Sequence, residues 1–210
     1  MRLRADQHAK DKLLKEQGLV SFFEKEDAIN IQSIVPPHSQ VALEIGCGKG
    51  GFVIKHAQKF PETFYFALEK IETILVKALR KYHKDPAPNI HYLRADADQL
   101  PLLFNPQTFD KIYLNFSDPW PKSRHEKRRL TTPSRLKMYH DLLKDEGEIH
   151  LKTDNKSLFH YSVITLQTSN YEITHYTRDL YQDPKDNIPT EFEEKFRDQM
   201  PIHHLIAVKR

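Results

Sequence analysis

The chain has 210 residues, 39% hydrophobic and 29% charged, with 32 Lys and Arg against 29 Asp and Glu. At about 100–200 residues per domain this is one domain or a domain with an appendage, large enough to bury roughly 70% of its unfolded surface without staples. The single cysteine, Cys47, excludes an intrachain disulfide and a Cys-pair zinc site; with no apolar run near about 18 residues and no leader-like apolar core, the expectation is a soluble cytoplasmic protein with no membrane contact and no metal.

Residues 1–35 read as a helical, basic extension ahead of the main domain, residues 36–210. VALEI (41–45) is the first short apolar run, halted by glycines, and the helix-like GFVIKHAQKF follows it. FYFAL (64–68) comes next, then the helix-like ETILVKALRKYHK. IHYL (90–93), KIYLNF (111–116) and EIHLK (148–152) continue the series of strand-like runs rich in aromatic and branched residues. A helix is expected from Pro133 to Asp145, with Thr132 as N-cap, Pro133 at the first helical position and Gly147 beyond the end. Another is expected over 155–169, opened by Asp154 or Asn155.

Strands alternating with helices of about 10–15 residues predict a parallel sheet covered on both faces, an α/β doubly wound fold. The C-terminal part breaks this rhythm. YEITHYTRDLY (171–181) and IHHLIAV (202–208) are separated by a Pro-containing loop and the short helix-like TEFEEKF. Without a full crossover helix, an antiparallel pairing at a sheet edge is expected there.

The net charge of +3 conceals a local excess. Residues 121–137 carry seven Lys and Arg and one Glu, and residues 1–15 add five Lys and Arg against two Asp. Basic charge concentrated in a near-neutral protein points to a polyanion partner.

Four strand ends carry the chemistry. EIGCGKGG (44–51) follows the first strand and precedes a helix; Gly46 and Gly48, with Gly50 or Gly51, fit a nucleotide-cofactor turn. The spacing alone serves a nicotinamide cofactor or S-adenosylmethionine equally. Glu69 ends the second strand, where a carboxylate can accept hydrogen bonds from both ribose hydroxyls. RADAD ends the third strand with Asp96 and Asp98, of which Asp96 is better placed to read an adenine amino group or to cap a helix. The fourth strand delivers SDPWPKSRHEKRRL (117–130). There Asp118 stands beside Trp120 between two prolines, and Lys122, Arg124, Lys127, Arg128 and Arg129 follow at once. A carboxylate beside an indole suits a purine, and the cations suit phosphates alongside it.

The segment FSDPWPKSRHEKRRL, with EIGCGKG upstream and TEFEEKF downstream, resembles the bacterial tRNA (guanine-N7-)-methyltransferase family from about residue 41 onward. The fourth-strand motif is highly specific, whereas the glycine motif is shared by many methyltransferases. The resemblance implies a Rossmann-like fold, mostly parallel with an antiparallel C-terminal edge hairpin, and S-adenosylmethionine as methyl donor. It implies tRNA as partner and substrate, methylated at guanosine 46 of the variable loop. Carried over by motif, Glu44, Gly46, Gly48, Glu69, Asp96 and Asp118 fall at cofactor-binding positions, and Asp118 also at the reaction centre. Lys122, Asp154 and Thr190, Glu191, Phe192 and Glu193 match substrate-contacting positions. Arg124, His125, Lys127, Arg128 and Arg129 match the RNA-binding stretch, and Ser123 departs from it where many relatives carry Lys or Arg.

The residue types agree with that chemistry. Guanine N7 offers an in-plane lone pair and no proton, so no general base or cysteine nucleophile is needed. The 12 histidines show no pairing three or four residues apart, and His125 reads as an RNA contact. Methylation of another nucleobase atom in RNA is the alternative. A nicotinamide oxidoreductase would leave the DPWP segment and the basic run idle, and a binding-only RNA domain would be marked by lack of any cofactor binding. No coiled-coil seam or self-complementary patch marks an oligomer, so monomer and homodimer both stay open.

Overall fold

The computed structural model describes residues 6–23, 34–183, 187–196 and 199–210. Two compact units make up the chain, Met1–Leu103 and Phe104–Arg210.

The first unit opens with α1 (Ala9–Leu14) and β1 (Val20–Phe22), then β2 (Gln40–Ile45) and α2 (Gly51–Lys59). It continues through β3 (Thr63–Leu68), α3 (Glu72–Tyr82), β4 (Ile90–Arg94) and α4 (Leu100–Leu103). Its strands lie in the order β1-β4-β3-β2, and every ladder is parallel. All six residues of β3 are buried and only Gln40 of β2 is exposed. Burial on both faces explains why these strands read as continuous apolar runs instead of alternating ones. α2 lies against β3 and β4, and α1 against α3.

β1 is the element that the sequence did not disclose. Three residues, VSF, are too few to set a period, yet they pair in parallel with Tyr92–Arg94. Arg2 and Arg4 of the opening basic stretch, and residues 24–33 of the extension, lie outside the described residues.

Ser21 of β1 also meets a buried histidine of β4: Ser21 Oγ and His91 Nε2 are 2.8 Å apart. His91 is 4% exposed, and burial pulls its imidazole down to about 4. The unfolded chain therefore takes up a proton at this site near pH 6.5, before the folded chain does. Above that the site is neutral in both states and takes nothing from stability. As pH falls from 6.5 towards 4, His91 should cost up to about 3 kcal/mol. His91→Gln, which keeps a hydrogen-bonding side chain but cannot titrate, should show a flatter fall in urea midpoint between pH 7 and 4.5. Equal slopes for the two proteins would show that His91 is not held neutral.

The second unit contains β5 (Phe109–Asn115), α5 (Pro133–Leu142), β6 (Leu143–Thr153) and α6 (Lys156–Gln167). β7 (Tyr171–Thr177), α7 (Glu191–Phe196) and β8 (His203–Lys209) complete it. Strand order is β5-β6-β8-β7. β5 and β6 are parallel, while β8 is antiparallel to both β6 and β7. The expected C-terminal antiparallel pairing is therefore present, with β7 at the edge. α6 packs against β6, β7 and β8. Thr132 caps α5, its hydroxyl accepting from the Arg135 amide, and Asn155 caps α6 by accepting from the Leu158 amide.

α5 is shorter than its pattern suggests. It stops at Leu142, and β6 begins at Leu143, so Gly147 lies inside a strand and not beyond a helix. The ladder with β5 pairs Phe109 with Leu143 and then jumps to Lys111 with Glu148. That bulge places Glu146 at φ 61° beside Gly147. Across both units, no helix among the described residues is long and apolar enough to cross a membrane.

Candidate functional site

In the first unit the site is a turn clamped to the end of a neighbouring strand. The Gly46 and Cys47 amides both donate to the Leu68 carbonyl, at 2.8 and 3.0 Å, so the loop after β2 is tied to the end of β3. Gly46, Gly48 and Gly50 have φ of 78°, 58° and 75°. Glycine has no Cβ to penalise that left-handed backbone. At Gly50 the need is also one of space, because a Cβ would sit 3.1 Å from Tyr92 Oη and 3.2 Å from the Ala78 Cβ. At Gly46 and Gly48 a Cβ would meet no protein atom within 4 Å, which leaves the backbone of the turn facing open room.

Glu69 closes this turn. Its Oε2 accepts from the Gly48 amide at 3.3 Å and its Oε1 from the Ile71 amide at 2.9 Å. Burial pushes its carboxyl upward, and the Ile71 and Gly48 amides act in the opposite sense. Glu44 is 2% exposed at the end of β2. Burial, with Glu44 and Glu69 nearby, raises the Cys47 thiol well above its ordinary range. A thiol so held stays protonated and inert as a nucleophile. Asp96 follows β4 and caps the next turn: its Oδ1 accepts from the Asp98 amide at 3.2 Å, while Gln99 Oε1 accepts from the Asp96 amide at 2.7 Å. Asp96 Oδ2 is 3.7 Å from Lys70 Nζ. The residue thus serves as a cap, and its half-exposed side chain lies beside a cation.

The second unit holds the remaining candidates. β5 and β6 run parallel with Asn115 opposite Lys152, so the segments after both strands leave from the same end of the sheet. Asp118 is exposed on the first of these, and Asp154 on the second. The turn that carries Asp118 is sharply folded: Phe116 has φ 48° and Trp120 φ 41°. Arg129 reaches back to it, Nε donating to the Pro119 carbonyl at 3.2 Å and Nη2 to the Trp120 carbonyl at 3.1 Å. The guanidinium of Arg128 lies 4.8 Å from the Trp120 ring centroid, and His125 meets the same ring edge-on at 5.7 Å. Lys122, Arg124 and Lys127 are exposed on or beside the short 3-10 turn Ser123–Arg128.

The TEFE segment is fixed by a buried ion pair. Lys152 Nζ donates to Glu193 Oε2 at 3.2 Å, to the Ile188 carbonyl at 3.1 Å and to Asn187 Oδ1. Glu193 is 0% exposed; its Oε2 also accepts from the Thr190 amide and its Oε1 from Asn187 Nδ2. Thr190 Oγ1 accepts from the Glu193 amide in return, making a reciprocal cap on α7. Phe192 packs on Phe116 with ring centroids 4.6 Å apart, which ties α7 to the start of the Asp118 turn. Of the four TEFE residues, Glu191 and Phe192 are half-exposed, whereas Thr190 and Glu193 are enclosed. Sequence reasoning passed over Lys152 and Tyr161. The signals were a lysine inside an apolar strand and an aromatic on the face of α6 that meets Arg129.

Comparison with known proteins points one way. A family model described as "Putative methyltransferase" matches residues 38–204. The chain is 41% identical over 209 residues to the tRNA (guanine-N(7)-)-methyltransferase of Listeria welshimeri serovar 6b, covering 99% of this chain and 98% of that one. It is 41% identical over 207 residues to the protein of the same name from Mesoplasma florum, covering 93% of each. Among solved structures, an antibiotic-related methyltransferase superposes with a TM-score of 0.62 over 89% of this chain and 94% of the other, at 16% identity, a likeness of fold. The fold is Rossmann-like, and the chain belongs to the tRNA (guanine-N7-)-methyltransferase family.

Proposed function

We propose that the protein transfers the methyl group of S-adenosylmethionine to N7 of guanosine 46 in the variable loop of tRNA. The observation that carries the reading is the second unit's exposed Asp118, on a turn that also holds Trp120 and runs directly into a basic segment.

When bound, S-adenosylmethionine supplies an electrophilic methyl carbon on a sulfonium. The first unit's residues fit such a group. The turn at Gly46 and Gly48 leaves room against its backbone, and Glu69 is anchored at its edge by two amides. In this reading Gly46 and Gly48 cradle the amino-acid end together with Glu44. Glu69 accepts from the ribose hydroxyls, and the half-exposed Asp96 carboxylate, beside Lys70, reads the adenine amino group.

On the substrate side, Asp118 accepts from the N–H donors of guanine's Watson–Crick edge, which orients the N7 lone pair. Its negative charge also stabilises the positive charge that develops on the purine. Lys122, Asp154 and the half-exposed Glu191 and Phe192 contact the nucleotide, with Thr190 and Glu193 holding their helix. His125 contacts RNA, and Arg124, Lys127 and Arg128 grip phosphates.

The direct test is methyl transfer from labelled S-adenosylmethionine to bulk tRNA, followed by nucleoside analysis. Labelled 7-methylguanosine, lost when guanosine 46 is replaced, is the expected result. A label on another nucleoside would keep the donor and overturn the target atom; no incorporation by folded protein would overturn the activity.

The basic segment should contribute affinity and not base choice. Replacing Arg124 and Lys127 together by Ala should lower the slope of log affinity against log salt by about two phosphate contacts. The methylated nucleotide should stay the same. An unchanged slope in a filter-binding titration would put the RNA on another face.

A further inference from the structure

We propose that Arg129 is a positioning residue for the Asp118 turn and not a phosphate contact, an inference that rests on the assignment of Asp118 to guanine. Arg129 belongs by sequence to the basic segment, yet its guanidinium is already engaged on two sides. In its plane it donates to the consecutive carbonyls of Pro119 and Trp120, at 3.2 and 3.1 Å. Across its face it stacks on Tyr161 of α6, 4.4 Å from the ring centroid. Tyr161 is itself held, its hydroxyl donating to Glu126 Oε1 at 2.9 Å.

The turn needs this support. Trp120 has φ 41°, a backbone region that non-glycine residues occupy only when neighbours enforce it. Pro119 fixes the dihedral on one side of Asp118, but proline lacks an N–H and cannot anchor the turn through a donor of its own. Two carbonyls captured by one rigid fork fix successive peptide planes, and with them the direction in which the Asp118 carboxylate leaves the chain. A charged donor makes these bonds stronger than neutral ones, and the planar guanidinium can stack while it donates. Lysine can do neither in the same way. Arg128, by contrast, lies over the Trp120 ring and is exposed, which leaves it accessible to a phosphate.

The test uses Arg129→Lys and Arg129→Gln in the full chain, with Tyr161→Leu as a variant that removes the stack and leaves the arginine. Trp120 is the only tryptophan in the sequence, so intrinsic fluorescence and acrylamide quenching report on this turn alone. All three variants should shift the emission and increase quenching. At saturating tRNA the single-turnover rate should fall about 10- to 100-fold, the scale of a small misplacement at a reacting centre. Their tRNA affinity and its salt slope should stay near wild type. The opposite pattern, a slope reduced by about one phosphate with unchanged emission and rate, would make Arg129 an RNA contact and overturn the proposal. If an Arg129 variant fails to fold, Tyr161→Leu decides: wild-type emission and rate in that protein count against the proposal. Asp118→Ala, run alongside, separates the two ideas. Normal turnover there would remove the guanine assignment, while Trp120 emission would still report whether Arg129 holds the turn.

Discussion

Asp118→Ala is expected to lower single-turnover methyl transfer by about 10²–10³-fold, the usual cost of losing one well-placed polar group facing developing charge. The fold should not notice. Asp118 is exposed, and the turn around it is held by Arg129 and by the Phe116–Phe192 contact, neither of which involves its carboxylate. Thermal midpoint and Trp120 emission should therefore match the parent. Asp118→Asn divides the role further. The amide keeps one acceptor and the shape but loses the negative charge and places donors against guanine's own N–H groups. If charge is what matters, Asn should be nearly as poor as Ala; if acceptor geometry matters more, Asn should recover part of the rate. A rate near wild type for the Ala variant would end the assignment.

Glu193→Ala should strongly destabilise the second unit. Lys152 is 6% exposed, and its ammonium is surrounded by Glu193, Asn187 and the Ile188 carbonyl. Removing the carboxylate strands a buried cation, which typically costs about 3–5 kcal/mol. It also removes one half of the cap that starts α7. Urea denaturation should show the loss directly. Lys152→Met combined with Glu193→Gln removes both charges and should be much less harmful than Glu193→Ala alone, because no ion is then left unpaired. Equal losses in the two proteins would show that the ion pair is not what holds this segment.

Much of this was readable from residues alone, and the exceptions have physical reasons. β2 through β4 announce themselves as apolar runs because both faces of each are buried. Within the first unit, Glu44, Glu69 and Asp96 at or just after strand ends follow from topology, since a parallel sheet gathers those ends along one edge. The start of β6 was hidden because LKDEG is charged and bulged, with no alternation to betray a strand. β1 was hidden by its brevity. Thr190 to Glu193 and Asp96 to Gln99 both carry the spacing of a reciprocal helix cap, a signal present in the sequence that competed with the functional reading of the same residues. Arg129 could not be sorted from Arg128 at all. Its partners are backbone carbonyls, which look the same whatever residues bear them, so no sequence signal separates it from its neighbour.

The order β6-β8-β7 has a consequence for how the second unit is assembled. β8 is a central strand although it follows β7 in the chain, and Thr153 faces His203 across fifty residues of sequence. β6 and β7 are never neighbours: β6 has β5 on one side and needs β8 on the other, and β7 pairs with β8 alone. Nascent chain that has reached β7 thus carries one border of β6 and one of β7 that only β8 can satisfy, and neither can be closed by local zippering. The last ladder closes over a long contour, which makes it entropically slow and late. Losing β8 would therefore not trim an edge. It would split the sheet between β6 and β7 and leave both as open templates for a foreign strand.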